Sequence, residues 1–101
     1  MSRRLGGAKP VDPVAELFAA NLTRCRESAG LDPAEIADRA ELHKSHLSVL
    51  EKGERRPQID TVIKLAGALG IDPTELLEGL VWDPTASPGG ALFVSGKRVD
   101  E

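Results

Sequence analysis

The phrase GLDPAEIA begins at Gly30 and GIDPTELL begins at Gly70, and this punctuation limits the chain more than any other feature. A glycine past the end of a helix closes it, an aspartate caps the first free N–H groups of the next one, and a proline at the first helical position has no N–H to lose. Asp32 and Asp72 are therefore predicted N-caps, Pro33 and Pro73 first helical residues, and Glu35 and Glu75 the third-position acids that complete a capping box. A solenoid would need at least three stacked copies to bury a continuous core, so the phrase is a helix start used twice.

Around these two starts the apolar residues recur at helical spacing. Phe18, Leu22, Cys25 and Ala29 share one face, predicting a first helix over 14–29 that stops at Gly30. The second, opened by Asp32, turns Ile36, Ala37 and Ala40 inward. A third over 44–52 buries Leu47 and Leu50 and ends at Gly53. After the basic turn GERRP, a fourth places Ile59, Val62, Leu65, Ala66 and Leu69 inward and closes at Gly70. The fifth carries Leu76, Leu77 and Leu80 and ends at Trp82, which covers a core edge. DPTASPGG is rich in turn formers, so 83–91 is read as a linker, and ALFV alone has strand composition. The last ten residues either stay disordered or add a strand to a partner subunit.

Composition narrows the class of molecule. The chain has 101 residues, room for one small domain. No apolar run reaches the roughly 20 residues of a membrane span, and the basic start MSRRLGGAKPVDP lacks the apolar stretch of a secretory signal, so a soluble, cytoplasmic protein is expected, without membrane contact. Lone Cys25 makes no internal disulfide and reads as a small core residue. With His43 and His46 it is too sparse a set for a metal site, and neither a cofactor nor a metal is expected. No nucleophile, base and orienting group assemble, and no phosphate-binding Gly loop is present, which argues against an enzyme. The net charge is −3, distributed as +2 over 1–13, −4 over 14–80 and −1 over 81–101. Within the acidic middle, Arg39 to Arg56 sums to +2, the pattern of a local polyanion contact on an acidic body. With no Tyr and only Phe18 and Phe93, base stacking is not its binding mode.

Two short helices joined by AELH and followed by a basic turn raise the helix-turn-helix arrangement, in which the second helix lies in the DNA major groove. The run from residue 18 to 80 resembles the Cro/repressor-type (lambda repressor-like, XRE) helix-turn-helix family. The resemblance rests on Arg26, the Gly30-Leu31 turn, Ala37 of EIA, the run LEKGERRP and the end LAGALGIDPTELL. It implies an all-α, five-helix bundle spanning 14–82, with a basic arm over 1–13 and a linker and tail over 83–101. It implies a sequence-specific, DNA-binding transcriptional regulator, acting as a homodimer on a dyad-symmetric operator. Residues 33–40 match the supporting helix and 44–52 the recognition helix. Lys44, Ser45, His46, Ser48 and Val49 then fall on the base-reading side, and Lys52, Arg55 and Arg56 match phosphate contacts. Lys44 suits guanine O6 and N7, and Val49 a thymine methyl. Arg26 and Glu51 match a structural salt bridge. The dimer contact would come from Leu76, Leu77, Leu80, Trp82 and ALFV.

Several positions depart from the family pattern. Pro33 replaces a frequent Gln and removes both a side chain and an N–H that would hold phosphate. Glu41 replaces a frequent turn Gly and must reach the turn with a residue less tolerant of positive φ. His43 stands at a usual Ser or Thr cap. Arg3, Arg4 and Lys9 form either a minor-groove arm or a disordered start. A second class of function fits the acidic surface and long tail: an antitoxin or other protein-interaction module in which DNA binding is secondary.

Overall fold

Three Asp-Pro steps open three of the helices. In the computed structural model, which describes residues 11–99, the elements run α1 (Pro13–Ala29), α2 (Pro33–Ala40), α3 (Lys44–Glu51), α4 (Ile59–Leu69) and α5 (Pro73–Leu76), then β1 (Leu80–Asp83), β2 (Ala91–Val94) and β3 (Lys97–Arg98). Asp32 and Asp72 are the predicted caps. The Asp32 carboxylate accepts from the Glu35 N–H at 2.9 Å while Glu35 accepts from the Asp32 N–H at 3.1 Å, completing the box. Asp12 is a third cap, accepting from the Val14 N–H at 3.1 Å, so α1 starts one residue earlier than the apolar spacing alone implied. Gly30 and Gly70 close α1 and α4 in the left-handed conformation, with φ of 71° and 72°.

The helices bury one core. Phe18, Leu22, Ile36, Leu47, Leu50, Leu65 and Leu76 are fully buried, and each contributes about 1.5–3 kcal/mol relative to an exposed position. Cys25 packs at the margin of this core, half-buried. Asn21 is also buried, and its amide donates to the carbonyls of Leu76 and Glu78 at 3.1 and 3.0 Å, tying the middle of α1 to the end of α5. Ile59, expected to face inward, is instead 79% exposed. It is the first residue of α4 and borders an open apolar groove together with Val14, Pro57 and Leu77.

The largest departure from the sequence reading lies beyond Leu76. The fifth helix is a single turn, ending at Leu76 rather than Trp82, because Gly79 adopts φ 101° and sends the chain into β1. Trp82 belongs to that strand and is 60% exposed, with its ring laid over Gly90. Leu76 is fully buried and is thereby removed from the expected dimer contact. The segment expected to be a linker joins two paired strands: β1 pairs antiparallel with β2, Leu80 opposite Val94 and Asp83 opposite Ala91. ALFV thus finds its strand partner inside the chain, not on another subunit, and β3 adds to its far side with Val94 opposite Lys97. The β2–β3 turn is Ser95-Gly96, both at positive φ, as a two-residue type I′ hairpin requires. No helix among the described residues is long and apolar enough to cross a membrane. Arg3, Arg4 and Lys9 of the expected basic arm lie outside the described residues.

Candidate nucleic-acid interface

α2 and α3 are held at a fixed angle by a short turn. Glu41 takes the left-handed conformation, φ 58° and ψ 45°, which glycine adopts without strain. The turn is secured by the Leu42 N–H, which donates to the Ala37 carbonyl at 2.8 Å, and by half-buried Leu42 packing on the core. At the start of α3, His43 makes no side-chain cap bond, so the first N–H groups of this helix have no side-chain acceptor.

α3 has two distinct sides. Leu47 and Leu50 are fully buried, while Lys44, Ser45 and Ser48 are exposed and His46 and Val49 are half-buried. Lys44, Ser45, Ser48 and Val49 therefore share the face turned away from Leu47 and Leu50, with its apolar edge at Val49, while His46 lies at the margin beside the buried seam. Behind this surface the Arg26 guanidinium grips the Glu51 carboxylate with two bonds, 2.6 Å from Nε and 3.2 Å from Nη2, and donates through Nη1 to the Leu31 carbonyl at 3.2 Å. Both side chains are about 15% exposed or less, and the Glu51 hydrogen bond and charge hold the guanidinium pKa above its ordinary value. This pair locks the last turn of α3 onto the end of α1.

The cations past α3 divide. Lys52, at the C-cap of α3, and Arg55 are exposed, and neither has a salt-bridge partner among the described residues. Arg56, grouped with them from sequence, instead donates to Asp12 at 2.7 and 3.1 Å. That ion pair holds the α3–α4 turn against the N-terminus of α1 and, with the bond from Arg56 as its main cause, keeps the Asp12 carboxyl below its ordinary pKa. No periodicity identifies Asp12 as a partner 44 positions away, although the Asp-Pro pair does mark it as a cap. The N-terminus of α2 is closed by its own carboxylates, Asp32 and Glu35. An anion therefore meets no open N–H cluster there, in contrast to the start of α3, where no side chain caps the first N–H groups.

The sequence matches the Helix-turn-helix family (HTH_3) over residues 22–76. It is 37% identical over 62 residues to the uncharacterized HTH-type transcriptional regulator y4dJ of Sinorhizobium fredii, covering 61% of this chain and 80% of that protein. With the HTH-type transcriptional regulator DdrOP3 of Deinococcus deserti the identity is 38% over 73 residues, 70% of this chain and 54% of the relative. Among solved structures, the restriction-modification controller protein C.AhdI from Aeromonas hydrophila superposes with a TM-score of 0.60 at 32% identity, covering 61% of this chain and 94% of its own. The matched span runs from the middle of α1 through α5 and contains the whole two-sided α3 surface with its turn: the chain belongs to the helix-turn-helix family.

Proposed function

We propose that this protein is a DNA-binding transcriptional regulator that reads the major groove with α3. The observation that carries the reading is the division of α3: a buried seam at Leu47 and Leu50, fixed from behind by Arg26 and Glu51, and an outward surface of Lys44, Ser45, Ser48 and Val49, with His46 at its margin, free to meet base edges. An α-helix fits the major groove, and these side chains offer a cation for guanine, hydroxyls and an imidazole for base or phosphate atoms, and a methyl-bearing edge for thymine. Lys52 and Arg55 then bear on phosphates and set affinity and salt dependence rather than sequence. Arg56 serves this face indirectly, by holding the turn.

One domain reads few base pairs, so the working form is a homodimer on inverted half-sites. A surface for it lies beside the α3–α4 turn, where Val14, Pro57, Ile59, Ile63 and Leu77 border an almost wholly apolar groove of about 220 Å³. Ile59 and Ile63 are 79% and 55% exposed there, and covering such side chains contributes about 25 cal/mol for each Å² removed from water. The test is selection from a random duplex library followed by sequencing. Enrichment of two inverted halves about one helical turn apart is the expected result. Weak, salt-sensitive binding with no enriched motif would overturn the reading and direct attention to a protein partner.

A further inference from the structure

The strands β1 to β3 lie beyond the family match, which ends at residue 76, and the α3 reading face uses none of them. The last strand, β3, presents two adjacent exposed cations, Lys97 and Arg98, in a chain whose net charge is −3. The Ser95-Gly96 hairpin fixes their position: β3 pairs with β2, and the Val99 N–H donates to the Leu92 carbonyl at 2.8 Å. Where this ladder rests gives the pair its meaning. Lys97 and Arg98 line a cleft of about 380 Å³ whose opposite wall is Pro13, Glu16 and Leu17 in the first turn of α1. The other flank of that turn meets the α3–α4 connection, since a Cβ on Gly53 would stand 3.3 Å from the Glu16 Cα and Arg56 is bonded to Asp12. Glu16 and Lys52 also border one common groove along α1. The N-terminal turn of α1 is therefore flanked by the phosphate-directed turn on one side and by Lys97 and Arg98 on the other.

We propose that Lys97 and Arg98 extend the nucleic-acid face beyond the five-helix domain and hold the phosphate backbone of the duplex flanking the site read by α3. The proposal rests on reading Lys52 and Arg55 as phosphate contacts. Charge complementarity commits the surface to a polyanion: neither cation has a salt-bridge partner among the described residues, Asp12 is already engaged by Arg56, and Glu16 is the one carboxylate lining the cleft among the described residues. Asp100 and Glu101 come next in sequence, outside the described residues. Closure of the α2 N-terminus by Asp32 and Glu35 removes one backbone anchor, and the hairpin supplies another at the opposite end of the interface.

The experiment is equilibrium binding of the full chain to a mixed-sequence duplex of about three helical turns, measured against salt concentration. Each phosphate contact contributes about 0.9 to the slope of log affinity against log salt. Lys97→Ala with Arg98→Ala should flatten that slope by about 1 to 2 per bound protomer, Lys97→Arg with Arg98→Lys should restore it, and the motif selected from a random library should stay the same. Lys52→Ala with Arg55→Ala tests the turn independently of the hairpin. If the turn variant flattens the slope and the hairpin variant does not, the proposal fails while the reading of the turn stands. If neither changes it, both fail. A hairpin variant with altered base preference would also overturn the proposal, because phosphate contacts carry no sequence. Should the double alanine unfold, the Lys97→Gln and Arg98→Gln single variants give the same slope measurement.

Discussion

Arg26 and Glu51 tie the last turn of α3 to α1 through a largely buried ion pair. Removing one partner of a largely buried ion pair leaves the other charge without compensation, at a cost of about 3–5 kcal/mol, whereas replacing both with apolar groups of similar volume is often neutral. Glu51→Ala should thus lower stability by about 3 kcal/mol, and Arg26→Met with Glu51→Leu should recover most of it. Denaturant unfolding of the two variants checks this, and equal destabilisation in both would show that the charges themselves are not the issue. The Asp12–Arg56 pair behaves differently because it is open to water, the two side chains being 34% and 59% exposed. Asp12 is depressed in the folded state, so its contribution is present above the unfolded carboxyl value near pH 4 and is lost as pH falls through the lower folded value. Asp12→Asn keeps an oxygen for the Val14 N–H but not the charge. It should cost about 0.2–1 kcal/mol at neutral pH, with the difference from wild type vanishing in acid; a difference that grows in acid would contradict the pairing. The bridge between Arg26 and Glu51 was legible from the family resemblance, while the bond between Arg56 and Asp12 was not. The resemblance groups Arg56 with Lys52 and Arg55 as phosphate contacts, and nothing local in the sequence reveals the carboxylate that folding brings alongside it.

At the level of elements, α1 to α4 were readable because each carries a start signal, Asp-Pro or a polar turn, and apolar helical spacing, and because α1, α3 and α4 also end at or just before a glycine, whereas α2 is closed by Glu41. The C-terminal sheet was not, for a physical reason. Leu76, Leu77 and Leu80 satisfy helical spacing, and local periodicity cannot separate a continuing helix from one turn followed by a strand. The deciding facts are the positive φ of Gly79 and the pairing of 80–83 with 91–94: ALFV has strand composition, but its partner 80–83 carries no strand signal of its own. Asp83-Pro84-Thr85 repeats the letters of Asp72-Pro73-Thr74, and in both the threonine N–H and hydroxyl donate to the aspartate. One copy opens a helical turn and the other a hairpin loop, so the motif specifies the bend and not the element after it. Within DPTASPGG, Gly89-Gly90 reads as part of a linker rather than of a strand connection, and the overlooked cue is Ser95-Gly96, a dipeptide of the kind that marks turns. Gly90 has φ 98° and sits under the Trp82 indole, where a Cβ would overlap the ring. Gly90→Ala should cost about 1–3 kcal/mol from backbone conformation alone, and more from the displaced ring. Hydrogen exchange should show the amides of 80–83 and 91–94 losing protection while those of α1 and α4 keep it. Unchanged strand protection would mean that the indole does not depend on the space above Gly90.

For the molecule as a whole, the question is how an acidic chain with one modest basic face obtains a sequence-specific site. Net repulsion from DNA is offset only where cations face phosphate, and a single α3 offers few base contacts, which is why the proposed working form joins two copies. The apolar groove bordered by Ile59, Ile63 and Leu77 adjoins the α3–α4 turn, and pairing two copies there would set the spacing of two recognition helices. Ile59 and Ile63 are exposed one helical turn apart on α4 and lie outside the buried core cluster, so the fold is expected to tolerate their replacement. Ile59→Glu with Ile63→Glu should keep the unfolding midpoint and helix content, convert a concentration-dependent dimer to a monomer in sedimentation, and reduce the motif selected from a random library to a single half-site. Loss of dimer with retention of the half-site would join the two functions of the domain, one face reading and the other spacing. A variant that still sediments as a dimer and still selects both halves would place the subunit contact elsewhere, with the exposed Val81 and Trp82 of β1 as the next surface to substitute.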